Sequence, residues 1–104
     1  MPDLNKVNIT SKLLSYFLKI QNGINIPKSE KVYIRTKLLA WVNYENNISI
    51  LKEIKMYLKM LNKVELKRGN LDYEIRKLKG LNDYFIYLSK KKKIINNVRN
   101  LIYV

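Results

Sequence analysis

The chain has 104 residues, 47% hydrophobic and 28% charged, which suits one folded domain with a real core rather than two domains or a disordered tail. Twenty-one Lys and Arg stand against eight Asp and Glu, for a net charge of +13, so polyanions lead the list of expected partners: nucleic acid, an anionic membrane face or an acidic protein. There is no Cys and no His, which removes disulfides, thiolate nucleophiles, the usual zinc ligands and the commonest general base near neutral pH; no metal, cofactor or enzymatic activity is expected.

The basic residues are 17 Lys and only 4 Arg, and Asn and Ile each occur 13 times, the composition toward which an AT-rich coding sequence drifts. Lysine suits diffuse attraction to phosphates better than the bidentate reading of bases, for which arginine is built. No run of about 18 apolar residues exists, so no membrane span is expected. The opening MPDLNKVNITSK lacks the charged-then-apolar order of a signal peptide, and the expected location is intracellular.

Residues 1–8 read as an N-terminal arm, with 9–104 as a single helical domain. Leu13, Leu14, Phe17 and Leu18 follow the i, i+1, i+4, i+5 pattern of a core-facing helix capped by Thr10 or Ser11. That helix stops at Gln21-Asn22-Gly23, where glycine suits the left-handed C-terminal position. Ile24 to Lys28 is a loop punctuated by Pro27.

The stretch KVYIRTKLLAWVNYENN, Lys31 to Asn47, holds the only Trp and is the centre of the expected core. Ile34, Leu38 and Trp41/Val42 lie on one helical face, with Ser29-Glu30 as the start signal; Val32-Tyr33-Ile34 is β-branched and aromatic enough to serve as a short extended lead-in instead. Trp41 is read as core, its indole N–H needing an acceptor. Asn43 to Asn47 breaks the helix, since Asn favours caps and turns.

Ile50, Leu51, Ile54, Tyr57, Leu58 and Leu61 give the cleanest helical period in the chain and predict a helix over 49–62, with Lys52, Lys55 and Lys59 on its outer side and Met56 and Met60 filling gaps. Val64 to Arg68 alternates as a short strand would, before a Gly69-Asn70 turn. Leu71, Ile75 and Leu78 predict a helix ending at Gly80. Tyr84, Phe85, Tyr87 and Leu88 form the most aromatic segment, a short helix or a strand. Lys90 to Lys93 follow, then Ile94, Ile95, Val98, Leu101 and Ile102 at helical spacing. A tetralysine serves as a phosphate patch, a nuclear import signal or a solvated helix turn. The fold class is therefore mostly α: four to five short helices around Phe17, Leu38, Trp41, Ile54, Leu58 and Leu78, with room for one small β-hairpin.

The order of elements resembles the SWIB domain family, small domains of chromatin-associated proteins also found in large DNA viruses. NITSKLLSYFL, Asn8 to Leu18, is similar to that family's opening "ISxELxxFL", and IPKSEKVYIRTKLLAWVNYENN, Ile26 to Asn47, is similar to "LPxGxxLxRTEVxxxIxxYIKxNN", with Arg35-Thr36 on the RT pair. VELKRGNLDYEIRKLKGL, Val64 to Leu81, stands for the family's short strand and following helix, and NDYFIYLSK for its closing helix. The chain departs by about seven extra residues between Phe17 and Arg35, by about three too few after Thr36, and by lacking the "LQ" exit. The resemblance implies a protein–protein interaction module with an apolar groove and no catalysis, placed in the nucleus or, for viral members, in the virion or viral factory.

Two functional expectations follow. The first is a small basic, non-enzymatic domain acting near nucleic acid, with phosphate contacts through Lys90, Lys91, Lys92, Lys93 and Arg99 and a second face of Lys52, Lys55 and Lys59, and a protein partner met through Tyr84, Tyr87 and Tyr103. The other is a structural subunit of a larger assembly whose basic surface neutralises acidic neighbours. An enzyme built from this composition would draw an acid–base pair from Tyr, Lys, Asp and Glu, for instance Glu65 or Asp72 beside a lysine, and nothing in the chain selects a substrate.

Overall fold

The computed structural model describes the backbone of residues 5–62 and 71–102, and the side chains through Lys93. Four helices follow one another: α1 (Lys6–Gln21), α2 (Lys28–Val42), α3 (Ile48–Asn62) and α4 (Asp72–Ile102). Among the described residues there is no strand. The segment Val64 to Asn70, read as strand and turn, lies outside them, as does Tyr103.

The helix α1 begins earlier than the Thr10 or Ser11 cap expected for it. Asn5 is the N-cap, its side-chain oxygen accepting the Asn8 N–H at 3.0 Å, so Lys6, Val7 and Asn8 belong to the helix and not to an arm. Thr10 sits inside, fully buried, and its hydroxyl donates back to the carbonyls of Lys6 (2.8 Å) and Val7 (3.1 Å). The C-terminus is the expected glycine stop. Gly23 takes φ 70, and the Ile24 N–H reaches the Lys19 carbonyl at 2.9 Å while the Gly23 N–H reaches that of Ile20, the paired bonds of a Schellman motif.

In α2, Pro27 is the N-cap and Val32-Tyr33-Ile34 are helical rather than extended. Ile34, Leu38 and Trp41 are buried as their spacing requires, whereas Val32 and Leu39 face solvent. The Asn-rich break follows. Asn47 then starts α3, its side-chain oxygen accepting the N–H groups of Ser49 (3.0 Å) and Ile50 (3.2 Å). Ile54, Tyr57, Leu58 and Leu61 are the buried face of α3.

The last helix corrects the sequence reading most. In place of a helix stopping at Gly80, a second aromatic element and a third basic helix, α4 runs unbroken for 31 residues. Gly80 is an ordinary exposed helical position with open space where a Cβ would stand. A glycine inside a helix costs only about 1 kcal/mol relative to alanine. Breaking the helix there would misalign Leu71, Leu78, Asn82 and Phe85, which continue one buried stripe at i, i+7, i+11 and i+14.

Ion pairs and hydrogen bonds between helices give the topology. Lys19 pairs with Glu30 and Lys6 with Glu45, so α2 runs back along α1. Gln21 bonds Asp72 and Asn82 bonds Val7, so α4 also runs antiparallel to α1. α3 packs on α2. Phe17, Leu38, Trp41, Ile54, Leu58 and Leu78, the expected core, are all buried, joined by Leu13, Ile34, Tyr57 and Leu61. The Trp41 and Phe85 rings meet at 5.4 Å and those of Phe17 and Tyr57 at 5.9 Å, tilted in both cases.

The molecule is long and narrow, 56 × 26 × 25 Å. A 16-residue helix spans about 24 Å and a 31-residue helix about 46 Å, so α4 is nearly twice the length of the helix it packs on. Asn82 lies level with Val7 and Thr10, and Ser89 level with Asn5, where α1 begins. From Lys90 onward α4 projects roughly 20 Å beyond the start of α1.

Candidate nucleic-acid interface

The tetralysine occupies the point where α4 leaves the cover of α1. Lys90, Lys91, Lys92 and Lys93 are all exposed. Successive helical residues are separated by 100°, so the four ammonium groups spread around the helix instead of lining one side. Lys92 borders a hollow of about 430 Å³ with Asn5, Lys6, Val7, Phe85 and Leu88. Lys90 and Lys93 border a second, of about 300 Å³, with Asn5, Val7, Ile86 and Ser89. Three lysines thus gather around the first turn of α1, whose N–H groups carry the positive end of the helix dipole. Lys91 lies on the opposite side, in line with Tyr84 and Tyr87.

Charge on this turn is uncompensated within the described residues. The ion pairs found there are Lys6–Glu45 (3.6 Å) and Lys19–Glu30 (3.2 Å), neither involving the tetralysine. Lys52, Lys55 and Lys59 are exposed along the outer side of α3 at i, i+3 and i+7. α3 packs on α2 and α4 on α1, so the two lysine groups sit on helices that do not run along each other. Arg99 belongs to the projecting part of α4; its side chain is outside the described set.

Of the three tyrosines expected to meet a partner, Tyr84 and Tyr87 are exposed on α4, at 49% and 58%. Of the two candidate carboxylates, Glu65 is outside the described residues. Asp72 is exposed in the first turn of α4 and accepts from the Gln21 side chain at 3.1 Å, a tie between helix ends.

Two features escaped the sequence reading. Asn82, just past the helix end expected at Gly80, is buried, and its amide reaches the Val7 carbonyl (3.1 Å), the Thr10 hydroxyl (2.7 Å) and the Ser11 hydroxyl (3.0 Å). A lone Asn among apolar residues at i−4 and i+3 was the available signal. The other is Lys6, whose ammonium stands 5.6 Å from the Trp41 ring and 5.4 Å from the Phe85 ring while pairing with Glu45. Glu45 also takes the Trp41 indole N–H at 3.4 Å, the acceptor that a buried Trp needs. These groups form a polar lid on the aromatic end of the core.

The buried phenols are structural. Burial, then the hydrogen bond to Glu53, pushes the Tyr57 hydroxyl well above the ordinary tyrosine range, and its O–H donates to Glu53 at 2.5 Å. Tyr16 is raised by burial and then by the Glu30 charge. Both stay protonated at neutral pH. Among the described residues no three His, Cys, Asp or Glu side chains cluster as metal ligands would, and no helix is long and apolar enough to cross a membrane.

Comparison with known proteins found no matching family model, curated protein or solved structure.

Proposed function

We propose that this chain is a basic, non-enzymatic accessory domain that works inside the cell near nucleic acid, holding phosphates through Lys90, Lys92 and Lys93 and leaving its other surfaces for protein contact. The observation that carries the reading is the position of these lysines: exposed, in no ion pair among the described residues, and gathered at the root of a helix that projects from the bundle. A net charge of +13 supplies the attraction at longer range. The prevalence of Lys over Arg favours binding that varies little with base sequence. The SWIB resemblance adds the idea of a protein-recognition module, since its two main segments form α1 and the loop with α2.

Fluorescence anisotropy of labelled duplex and single-stranded oligonucleotides tests this reading. For three to four phosphate contacts, affinity should fall on the order of 40- to 150-fold between 50 and 200 mM salt. Replacing Lys90, Lys92 and Lys93 by Gln should lower the slope of log affinity against log salt by roughly 2 to 3. A flat salt response rejects the proposal. A second reading, a subunit of a larger assembly, is favoured by the exposed Ile24, Val32, Leu39 and Ile48, with Ile48 at 70%. It expects concentration-dependent association and no oligonucleotide binding.

A further inference from the structure

The helix α4 packs one face on α1 as far as Ser89, and its sequence carries a second apolar register in series with it. Up to Ser89, the side facing α1 holds Leu78, Asn82 and Phe85, all buried, while Tyr84 and Tyr87 on the other side are exposed at 49% and 58%, with Leu88 between the two sides at 38%, on the rim of the hollow against α1. Beyond Ser89, which lies level with the start of α1, the register positions that would continue the α1-facing side are Lys92, Lys93, Asn96, Arg99 and Asn100, all polar. The apolar residues change sides. Tyr84, Tyr87, Lys91, Ile94, Val98 and Leu101 follow one another at spacings of three, four, three, four and three, which is the a and d pattern of nearly three heptads. Leu88, Ile95 and Ile102, each seven apart, widen that seam by one column. The helix is continuous through all of them, so the register set by the exposed Tyr84, Tyr87 and Lys91 holds to its end.

We infer that this seam is the docking site of an acidic amphipathic helix from another protein, about five turns long, with apolar residues in heptad spacing and a carboxylate opposite Lys91. The inference rests on reading the chain as a binding domain and names the partner for its protein-contact side. Charge decides the occupant. A single lysine at a core heptad position is tolerated where the partner supplies a counter-charge. A second copy of this chain cannot supply it. Parallel pairing places Lys91 beside Lys91, and antiparallel pairing about the middle of the seam again sets Lys90–Lys93 against Lys90–Lys93, in a chain of net charge +13. An acidic helix relieves that repulsion and covers the tyrosines as well.

The test uses the full chain and a synthetic three-heptad peptide with Leu at its core positions, Glu on its flanks and one Glu set opposite Lys91. Titration of the labelled peptide should give roughly micromolar binding, and a scrambled peptide of identical composition should bind about tenfold weaker or worse. Lys91→Glu should weaken the cognate peptide roughly tenfold and be rescued by a peptide with Lys at that one position. Lys91 is exposed, so circular dichroism should show the fold intact. Val98→Asp should abolish peptide binding yet keep oligonucleotide binding, which separates failure here from failure of the nucleic-acid reading. Equal binding of the scrambled peptide, absence of the charge-swap rescue, or concentration-dependent self-association lost in Val98→Asp would each overturn the inference, the last by assigning the seam to a second copy.

Discussion

The two parts of α4 make an instructive pair, because they belong to one helix with one backbone and differ only in what lies beside them. From Leu71 to Ser89 the helix is pinned to α1 by a buried stripe and by the Asn82 amide; from Lys90 it has outrun α1 and carries lysines where the stripe would continue. The first part contributes stability, and the second opens on an exposed lysine turn. Helix formation in the projecting part is sustained by propagation from a packed segment, since elongating a helix is far easier than nucleating one.

The sharpest way to break the comparison is to truncate the packed part. Phe85→Ala removes the ring against Trp41 and should cost about 3 to 5 kcal/mol in urea unfolding. Asn82→Ala leaves a buried gap and deprives the Thr10 and Ser11 hydroxyls of their donor; about 1 to 3 kcal/mol is expected in the same assay.

A pH arm probes the opposite end of the core, at Tyr57. Its hydroxyl is raised in the folded state above the ordinary value of 10.0, so the stabilisation is fully present below pH 10 and is lost as pH climbs beyond it. Unfolding free energy should therefore fall above pH 10, and the fall should be shallower in Tyr57→Phe. Gly80→Ala should stabilise by about 0.5 to 1 kcal/mol, because the position is helical and the added methyl meets nothing. Loss of stability there would mean that the helix is not continuous through residue 80. The smallest effect belongs to the exposed side: Tyr87→Ala should stay within about 0.5 kcal/mol of the parent, so that any effect on binding is a contact effect.

Much of this fold was legible along the chain. The period of Ile54, Tyr57, Leu58 and Leu61 located α3 to within one residue at its start, the Gln-Asn-Gly stop of α1 was read from the need for a left-handed residue, and six core positions followed from spacing alone. What misled was punctuation. Thr10 and Ser11 look like caps, yet Asn5 caps five residues earlier, and Gly80 looks like a stop although no positive φ is taken there. Of the candidate site, the exposure of the tetralysine could be anticipated; its division into three lysines near α1 and one on the tyrosine side could not, because that depends on where the neighbouring helix ends.

By itself the amino-acid sequence determined the mostly helical class, the positions of the strong helix stops and the residues that had to be buried, since caps and hydrophobic period act within a few residues of one another. Only the tertiary structure decided that α4 is a single helix, that Asn82 is a buried anchor and that the lysine turn stands at the root of a projection. Each of these turns on a contact between residues some seventy positions apart, as in the pairing of Asn82 with Val7 and Thr10. Packing along α1 outweighs the local cost of one helical glycine, and no short-range pattern carries that comparison.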